Sequence, residues 1–169
     1  MNSDNLTRFI QLFTLGDSAA SQRISERLAL VLRDPAAYQA QYAEELAERG
    51  MEAALPPQEV RDVALIDALL SEDLLWEAEA QDPLADTAEG LNDILEQQKR
   101  PERLRVAASR GAGGPEQLDA LQDALEAQGL ALVLLTLDSD AYPLSIVTDA
   151  QAEELRSLAQ ELGFGIVVY

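Results

Sequence analysis

The hydrophobic pattern of this chain changes once, near the glycine-rich segment 110–114, and that change constrains the fold most. Before the segment, apolar residues recur every three or four positions, as they do over 6–13, which is typical of amphipathic helices. After it, short continuous apolar runs alternate with helical patterns, which is typical of buried strands. We therefore predict an α+β fold, with a mainly helical part over 1–100 packed on a small mixed or antiparallel sheet within 101–169. A chain of 169 residues is expected to form a single domain, 1–169.

Cap-type residues followed by proline mark several helix starts. Asp34, Asp82 and Gly114 each precede a proline, which is tolerated at the first helical position. The predicted helices begin near Asp4, Asp17, Pro35, Pro57, Pro83, Pro115 and Asp149. The third is expected to continue to Gly50, and Thr148 is expected to open the last one through a capping box.

Four segments of the second part have the composition of strands, and weak alternation around Trp76 indicates a further one. The four are Leu104–Ala108, Ala131–Leu137, Tyr142–Val147 and Phe164–Tyr169. Together with the helices between them they give the order β-α-β-β-α-β, which is of the ferredoxin-like type. The second and third are expected to form an antiparallel hairpin, with the fourth in the same sheet. Because strands that are apolar on both faces need cover on both sides, we expect the C-terminal helices on one face and the N-terminal helices on the other.

The chain lacks most of the side chains that catalyse reactions near neutral pH. It has no histidine and no cysteine, and Lys99 is its only lysine. An imidazole base, a thiolate nucleophile and a zinc site with histidine or cysteine ligands are therefore excluded. We expect a protein that is not an enzyme and that uses no cofactor and no catalytic metal.

The segment Asp138-Ser139-Asp140 follows an apolar run and has two interpretations. Two carboxylates at this spacing suit Mg²⁺ or Mn²⁺, and aspartyl-phosphate phosphatases carry a similar motif after a strand. Those enzymes also need a later lysine, which is missing after Asp140. Aspartate and serine also favour turns, because their side chains hydrogen-bond to nearby backbone. We favour the turn over the metal site.

The formal net charge of −19 limits the partners of the chain. Such a protein repels the phosphates of nucleic acids and of anionic lipids, so we expect neither nucleic acid nor membrane as a partner. The N-terminus shows no basic segment followed by an apolar one, and we expect a cytoplasmic location. The charge serves either solubility or the binding of a basic partner. The sequence does not indicate an oligomeric state.

Five basic residues cluster between Lys99 and Arg110, opposed only by Glu102. Such a patch is able to hold phosphate. No aromatic residue is interleaved with it for stacking on bases, however. We favour the alternative that these side chains pair with carboxylates of the protein itself.

The region from Asp62 to Gln98 has 11 acidic residues and no basic one. Trp76 lies inside it, and interfaces concentrate their energy in a few aromatic contacts. The candidate partner-binding residues are Trp76, Glu77, Glu79, Asp82 and Asp86. We therefore expect a non-enzymatic interaction module that binds a basic protein, either a general binding module or one of the immunity type. The alternative is a domain of β-α-β-β-α-β type that senses a small ligand, which a pocket with convergent polar groups would favour.

The C-terminal part resembles an uncharacterised family of bacterial domains of similar length. The resemblance is carried by Gln128-Gly129-Leu130-Ala131-Leu132, by Asp138-Ser139-Asp140-Ala141-Tyr142-Pro143-Leu144, and by the helix that begins near Asp149. It covers about the last 55 residues well, and the Trp76 region more loosely. The resemblance supports the hairpin and the helix after it, and it implies no activity and no functional residues.

Overall fold

A computed structural model of the chain describes residues 3–51, 55–79, 84–104, 115–136 and 141–168. The helices are α1 (Ser3–Thr14), α2 (Ser18–Arg33), α3 (Pro35–Gln41), α4 (Ala43–Glu48), α5 (Pro57–Ser71), α6 (Leu84–Gln97), α7 (Pro115–Glu126) and α8 (Ala152–Leu162). The strands are β1 (Trp76–Glu79), β2 (Leu130–Leu135), β3 (Ala141–Thr148) and β4 (Ile166–Val168), and a 3₁₀ turn at Asp149–Gln151 leads into α8. The α+β prediction is confirmed.

The four strands form one antiparallel sheet in the order β1-β3-β2-β4. The predicted hairpin is present, with Val133 opposite Ser145 and Leu134 opposite Leu144. The C-terminal strand pairs with β2 and places Val168 opposite Val133, so its predicted position in the sheet is also confirmed. At the other edge β1 pairs with β3 and places Trp76 opposite Leu144.

The first strand of the sheet is not the one that was expected to begin at Leu104. The backbone N–H of Leu104 donates to Asn92 Oδ1 at 2.6 Å, and its carbonyl accepts from Asn92 Nδ2 at 3.1 Å. A side-chain amide of α6 thus takes the place of a neighbouring strand at Leu104. The rest of that predicted strand, 105–108, lies outside the described residues. Among the described residues Trp76–Glu79 is the first strand of the sheet, so part of the sheet comes from the mainly helical half.

The sheet is covered on both faces, and alternation along the strands divides the core in two. On one face Ala131 and Val133 of β2 pack with α1, α2, α5 and α8. On the other face Leu130 and Leu132 pack with α6 and α7. The expectation that all C-terminal helices lie on one face is therefore wrong, because α8 lies with the N-terminal helices.

Strand order and crossover handedness together explain the position of α8. The crossover from β1 to β2 and the crossover from β3 to β4 both run toward the β4 edge of the sheet. Strands β1 and β2 are parallel to each other, and β3 and β4 both run in the opposite direction. Right-handed crossovers must then place their helices on opposite faces. The arrangement differs in this respect from a ferredoxin-like sheet, which carries both crossover helices on one face.

Helix ends follow local chemistry in most places. Asp17 and Asp34 cap α2 and α3 by accepting backbone N–H donors at 3.1 Å. The single helix expected from Pro35 to Gly50 is divided at Tyr42, where the backbone leaves helical geometry. Thr148 makes no side-chain cap, so the predicted capping box is wrong, and its hydroxyl accepts from Arg100 at 3.1 Å instead.

Buried polar side chains join the helical half to the sheet. Gln98 Nε2 donates to the carbonyls of Phe13 at 3.0 Å and of Ile146 at 2.9 Å, which links α1 to β3. Ser145 Oγ donates to the Leu74 carbonyl at 2.6 Å. Since both side chains are buried, these bonds fix the sheet relative to α1 and to the end of α5. No helix in the described part of the chain is both long enough and apolar enough to cross a lipid bilayer.

Candidate functional site

The predicted partner-binding residues do not share one surface. Side chains alternate along β1, so Trp76 packs with α6 on one face of the sheet. Glu77 points to the other face and bonds to Arg49, which directly follows α4. Glu79 is exposed, as is Asp86 on α6. Asp82 lies outside the described residues. The structure therefore brings Trp76 and Asp86 to one side of the sheet and sends Glu77 to the opposite side.

Trp76 is half-buried against α6 and is not a free apolar anchor. A Cβ atom at Gly90 would lie 2.1 Å from Cδ2 of the indole, so the ring covers the helix backbone where there is no side chain. Its Nε1 atom is buried and has no hydrogen-bond partner among the described residues. Trp76 thus joins β1 to α6 within the core.

The outer side of α6 carries a row of carboxylates at helical spacing. Asp86, Glu89, Asp93 and Glu96 are all exposed, and the apolar residues of α6 face the sheet. Spacings of three and four residues place the four on one side of the helix. All four belong to the acidic region 62–98 of the sequence, but only Asp86 is among the predicted partner-binding residues.

The neighbouring helix α7 has the same organisation. Asp119, Asp123 and Glu126 are exposed, while Leu118, Leu121 and Leu125 are buried against the same face of the sheet as α6. Within the described residues, none of the seven carboxylates on the two helices forms an ion pair. We call this surface the acidic helix face: Asp86, Glu89, Asp93, Glu96, Asp119, Asp123 and Glu126.

A second acidic cluster lies on the opposite side of the sheet, between α4, α5 and β1. Arg49 donates from Nε to Asp67 Oδ1 at 2.7 Å and from Nη2 to Glu77 Oε1 at 2.6 Å. Arg27 bonds to Glu45, and its Nη2 lies 3.8 Å from Asp67 Oδ2. These five side chains hold α2, α4, α5 and β1 together.

Aromatic rings orient Arg27 within this cluster. The guanidinium lies 4.3 Å from the centre of the Tyr42 ring, and that ring stacks on Tyr38 at 4.5 Å. Arg27 Nε also donates to the Tyr38 hydroxyl at 2.8 Å. Burial raises the pKa of the Tyr38 hydroxyl above its ordinary value, although Arg27 opposes the shift. Burial also raises the pKa of Asp67, and the hydrogen bond from Arg49 reduces that shift.

A cavity opens beside this cluster. It has a volume of about 320 Å³ and is lined by Glu45, Glu48, Arg49, Asp67 and Glu77, with Leu70 and Ser71 at its wall. We call it the acidic cavity. The described residues contain no group of three or more acidic side chains close enough together to hold a metal ion, so its carboxylates are too widely spaced for one.

A larger groove, of about 560 Å³, lies where α5 begins and the β2–β3 hairpin ends. Leu135 and Pro143 supply apolar surface, and Asp62 and Thr136 supply polar groups. Asp62 Oδ1 accepts from the Gly165 N–H at 2.8 Å, and burial raises the pKa of this carboxyl. Asp138 and Asp140 follow the groove in sequence but lie outside the described residues, so both interpretations of that segment stay predictions.

The basic segment does not pair as expected where the structure describes it. Arg100 donates to Gln98 Oε1 at 2.7 Å and to the Thr148 hydroxyl, and burial lowers its pKa. Arg103 donates to backbone carbonyls. Among the described residues, the hydrogen bonds of these two arginines thus go to neutral oxygens and not to carboxylates. Arg105 and Arg110 lie outside the described residues.

Comparison with known proteins gives a family and no activity. Searches of curated proteins and of solved structures find no match. The sequence profile of one family matches residues 5–169, which is nearly the whole chain. The chain therefore belongs to the family described as a domain of unknown function, DUF6630.

Proposed function

We propose that the protein is a non-enzymatic interaction module and that its acidic helix face binds a basic protein partner, an immunity-type role being one form of this. The observation that carries the proposal is the set of seven exposed carboxylates, four on α6 and three on α7, on two helices that cover the same face of the sheet, without ion pairs among the described residues. Charges of one sign on one surface raise the local potential and speed encounter with an oppositely charged protein.

The position of this face supports recognition by shape as well as by charge. Two adjacent helices on one side of a sheet give a broad surface, and interfaces of standard size involve about 20–30 residues a side. Trp76 fixes β1 beneath α6, so the helix is held rigidly. A rigid charged surface loses little conformational entropy when a partner binds.

The test compares two variants of equal net charge. The first neutralises part of the acidic helix face (Glu89→Gln, Asp93→Asn, Glu96→Gln). The control neutralises three exposed carboxylates elsewhere (Glu26→Gln, Glu44→Gln, Asp73→Asn). A partner is recovered from the native host by chemical cross-linking and mass spectrometry, and its association rate is measured by surface plasmon resonance.

We expect the first variant to slow association about tenfold at low salt, the lower end of the gain that steering gives, and the control to leave the rate within about twofold. Added salt should slow the wild type more than the first variant. Equal effects of the two variants would show that only net charge matters. A partner that ignores both, or one that is itself acidic, would contradict the proposal.

The groove at the hairpin end favours a second candidate, a domain that senses a small ligand. Its volume of about 560 Å³ lies within the range of roughly 300–1,000 Å³ typical of ligand sites, and Asp62 and Thr136 place polar groups on an apolar wall. A metabolite library screened by thermal shift tests it. A ligand whose stabilisation is lost in Thr136→Val and retained in the acidic-helix-face variant would favour this candidate. No shift from any compound would dismiss it.

A further inference from the structure

We propose that the acidic cavity binds an organic cation through a guanidinium or primary ammonium group, with Asp67 as the principal acceptor. This site lies across the sheet from the acidic helix face and does not depend on the function proposed for that face. The cavity has a volume of about 320 Å³, which accommodates such a head group together with part of its aliphatic stem.

The state of Asp67 is the first observation. Its side chain is only 10% exposed, and Oδ1 accepts from Arg49. Oδ2 is buried and accepts no hydrogen bond among the described residues, since Arg27 Nη2 lies 3.8 Å away. A buried carboxylate oxygen without a donor is costly, and Asp67 is one of the residues that line the cavity. An N–H donor of a bound cation would satisfy it.

The balance of charge is the second observation. Four carboxylates surround the cavity, those of Glu45, Glu48, Asp67 and Glu77. Among the described residues, only the guanidinium groups of Arg27 and Arg49 are bonded to them, and both are already engaged. The cluster therefore retains a net charge of about −2 when all its carboxylates are ionised, and a ligand of positive charge reduces the repulsion.

The spacing of the carboxylates selects the kind of cation. A metal ion requires several oxygen ligands within about 2.6 Å of one point, and no such group exists in the described chain. A guanidinium or ammonium group carries several N–H donors on a larger frame and bonds to carboxylates that lie farther apart. Leu70, 39% exposed, stands at the wall, where it can pack against the methylene stem of the ligand.

The same head group occurs on free amines and on arginine or lysine side chains of a protein. Agmatine represents the first source, and a blocked arginine, N-acetylarginine methylamide, represents the second. Tetramethylammonium is the matched control, since it has the charge but no N–H donor. Binding is followed by the methyl resonances of Leu70 in isotopically labelled full-length protein.

We expect agmatine or the blocked arginine to shift the Leu70 resonances saturably, and tetramethylammonium to bind at least tenfold more weakly. The stronger of the two probes identifies the source. Asp67→Asn should weaken binding about tenfold or more, as expected when a charge-assisted hydrogen bond is lost. Asp67→Asn also disturbs the ion pair between Arg49 and Asp67, so a second variant is needed. Glu48→Gln serves this purpose, because no hydrogen bond or ion pair of Glu48 is found among the described residues.

Glu48→Gln should weaken binding about threefold, because Glu48 attracts the cation by its charge without a hydrogen bond to it. Glu44→Gln, on the same short helix but outside the cavity lining, should have no effect. Neutralising the acidic helix face should also leave agmatine binding unchanged, so failure of one proposal is distinguishable from failure of the other. The proposal is overturned if tetramethylammonium binds equally well, or if Glu44→Gln and Glu48→Gln weaken binding alike. It is also overturned if no probe shifts the Leu70 resonances at 10 mM, a concentration roughly ten-thousandfold above a micromolar dissociation constant.

Discussion

Replacement of Gly90 by alanine tests the contact between β1 and α6 directly. Alanine in a helix interior is ordinarily about 1 kcal/mol more favourable than glycine. At Gly90 the added Cβ would lie 2.1 Å from one atom of the Trp76 indole and 2.6 Å from two others. Carbon atoms pack at about 3.5 Å, so the ring must move by about 1.4 Å or the helix must shift.

The expected cost exceeds the gain in helix propensity. Trp76 is a rigid ring wedged between β1 and α6, and overpacking of this kind costs typically about 1–3 kcal/mol. We expect Gly90→Ala to be less stable than the wild type by about that amount. Urea unfolding followed by circular dichroism measures the difference, and the fluorescence of Trp76, the only tryptophan, reports whether the ring is displaced.

A second background gives the result that would refute this reasoning. In Trp76→Ala the obstacle is removed, and Gly90→Ala should then be neutral or stabilising by up to about 1 kcal/mol. The effect of the same substitution therefore changes sign between the two backgrounds. If Gly90→Ala is at least as stable as the wild type when Trp76 is present, the packing described between the ring and α6 is incorrect.

Two further predictions concern buried polar groups. Gln98→Leu leaves the carbonyls of Phe13 and Ile146 without this donor, so it should lower the free energy of unfolding by about 1–3 kcal/mol in urea titration. Gln97→Leu, at the exposed neighbouring position, should change that free energy by less than about 0.5 kcal/mol. Because the pKa of Tyr38 is raised in the folded state, the stability linked to this hydroxyl is complete below its ordinary pKa of 10.0 and is lost as the pH rises above it. Urea midpoints should therefore fall more between pH 9 and pH 10.5 in the wild type than in Tyr38→Phe, and equal losses would contradict the assignment.

Local features of the fold could be predicted from the sequence because their causes are local. Asp17 and Asp34 cap helices through residues three positions away, and the β2–β3 hairpin joins strands that are close in sequence. Glycine inside a helix, as at Gly90, makes a helix harder to predict from the sequence. The close approach of the Trp76 ring accounts for this glycine, and no periodicity reveals that contact.

Long-range features could not be predicted in the same way. The pairing of Trp76 with Leu144 joins segments that lie far apart in the chain, and a four-residue strand has too little alternation to reveal its partner. So short a strand also does not show which face of the sheet each side chain occupies, and this explains why Trp76 and Glu77 were predicted on one surface. The acidic cavity depends on Arg49 meeting Asp67 and Glu77, and charges this far apart in sequence carry no pattern that identifies them as a cluster.

The two acidic surfaces differ in their relation to stability, and this difference bears on function. Around the acidic cavity Glu45, Asp67 and Glu77 are bonded to Arg27 or Arg49, so they hold the helices to the sheet. On the acidic helix face, Glu96 and Glu126 lie in the last turns of α6 and α7, where no basic residue accompanies them. A negative charge at a helix C-terminus opposes the helix dipole, by about 0.3–1 kcal/mol at low salt. Solubility alone would be served by charges anywhere on the surface. Neutralising Glu89, Asp93 and Glu96 should therefore raise the free energy of unfolding and slow the association with the partner. This combination is expected where a surface is kept for binding at some cost to stability. A variant that loses both stability and association would show that these carboxylates serve the fold instead.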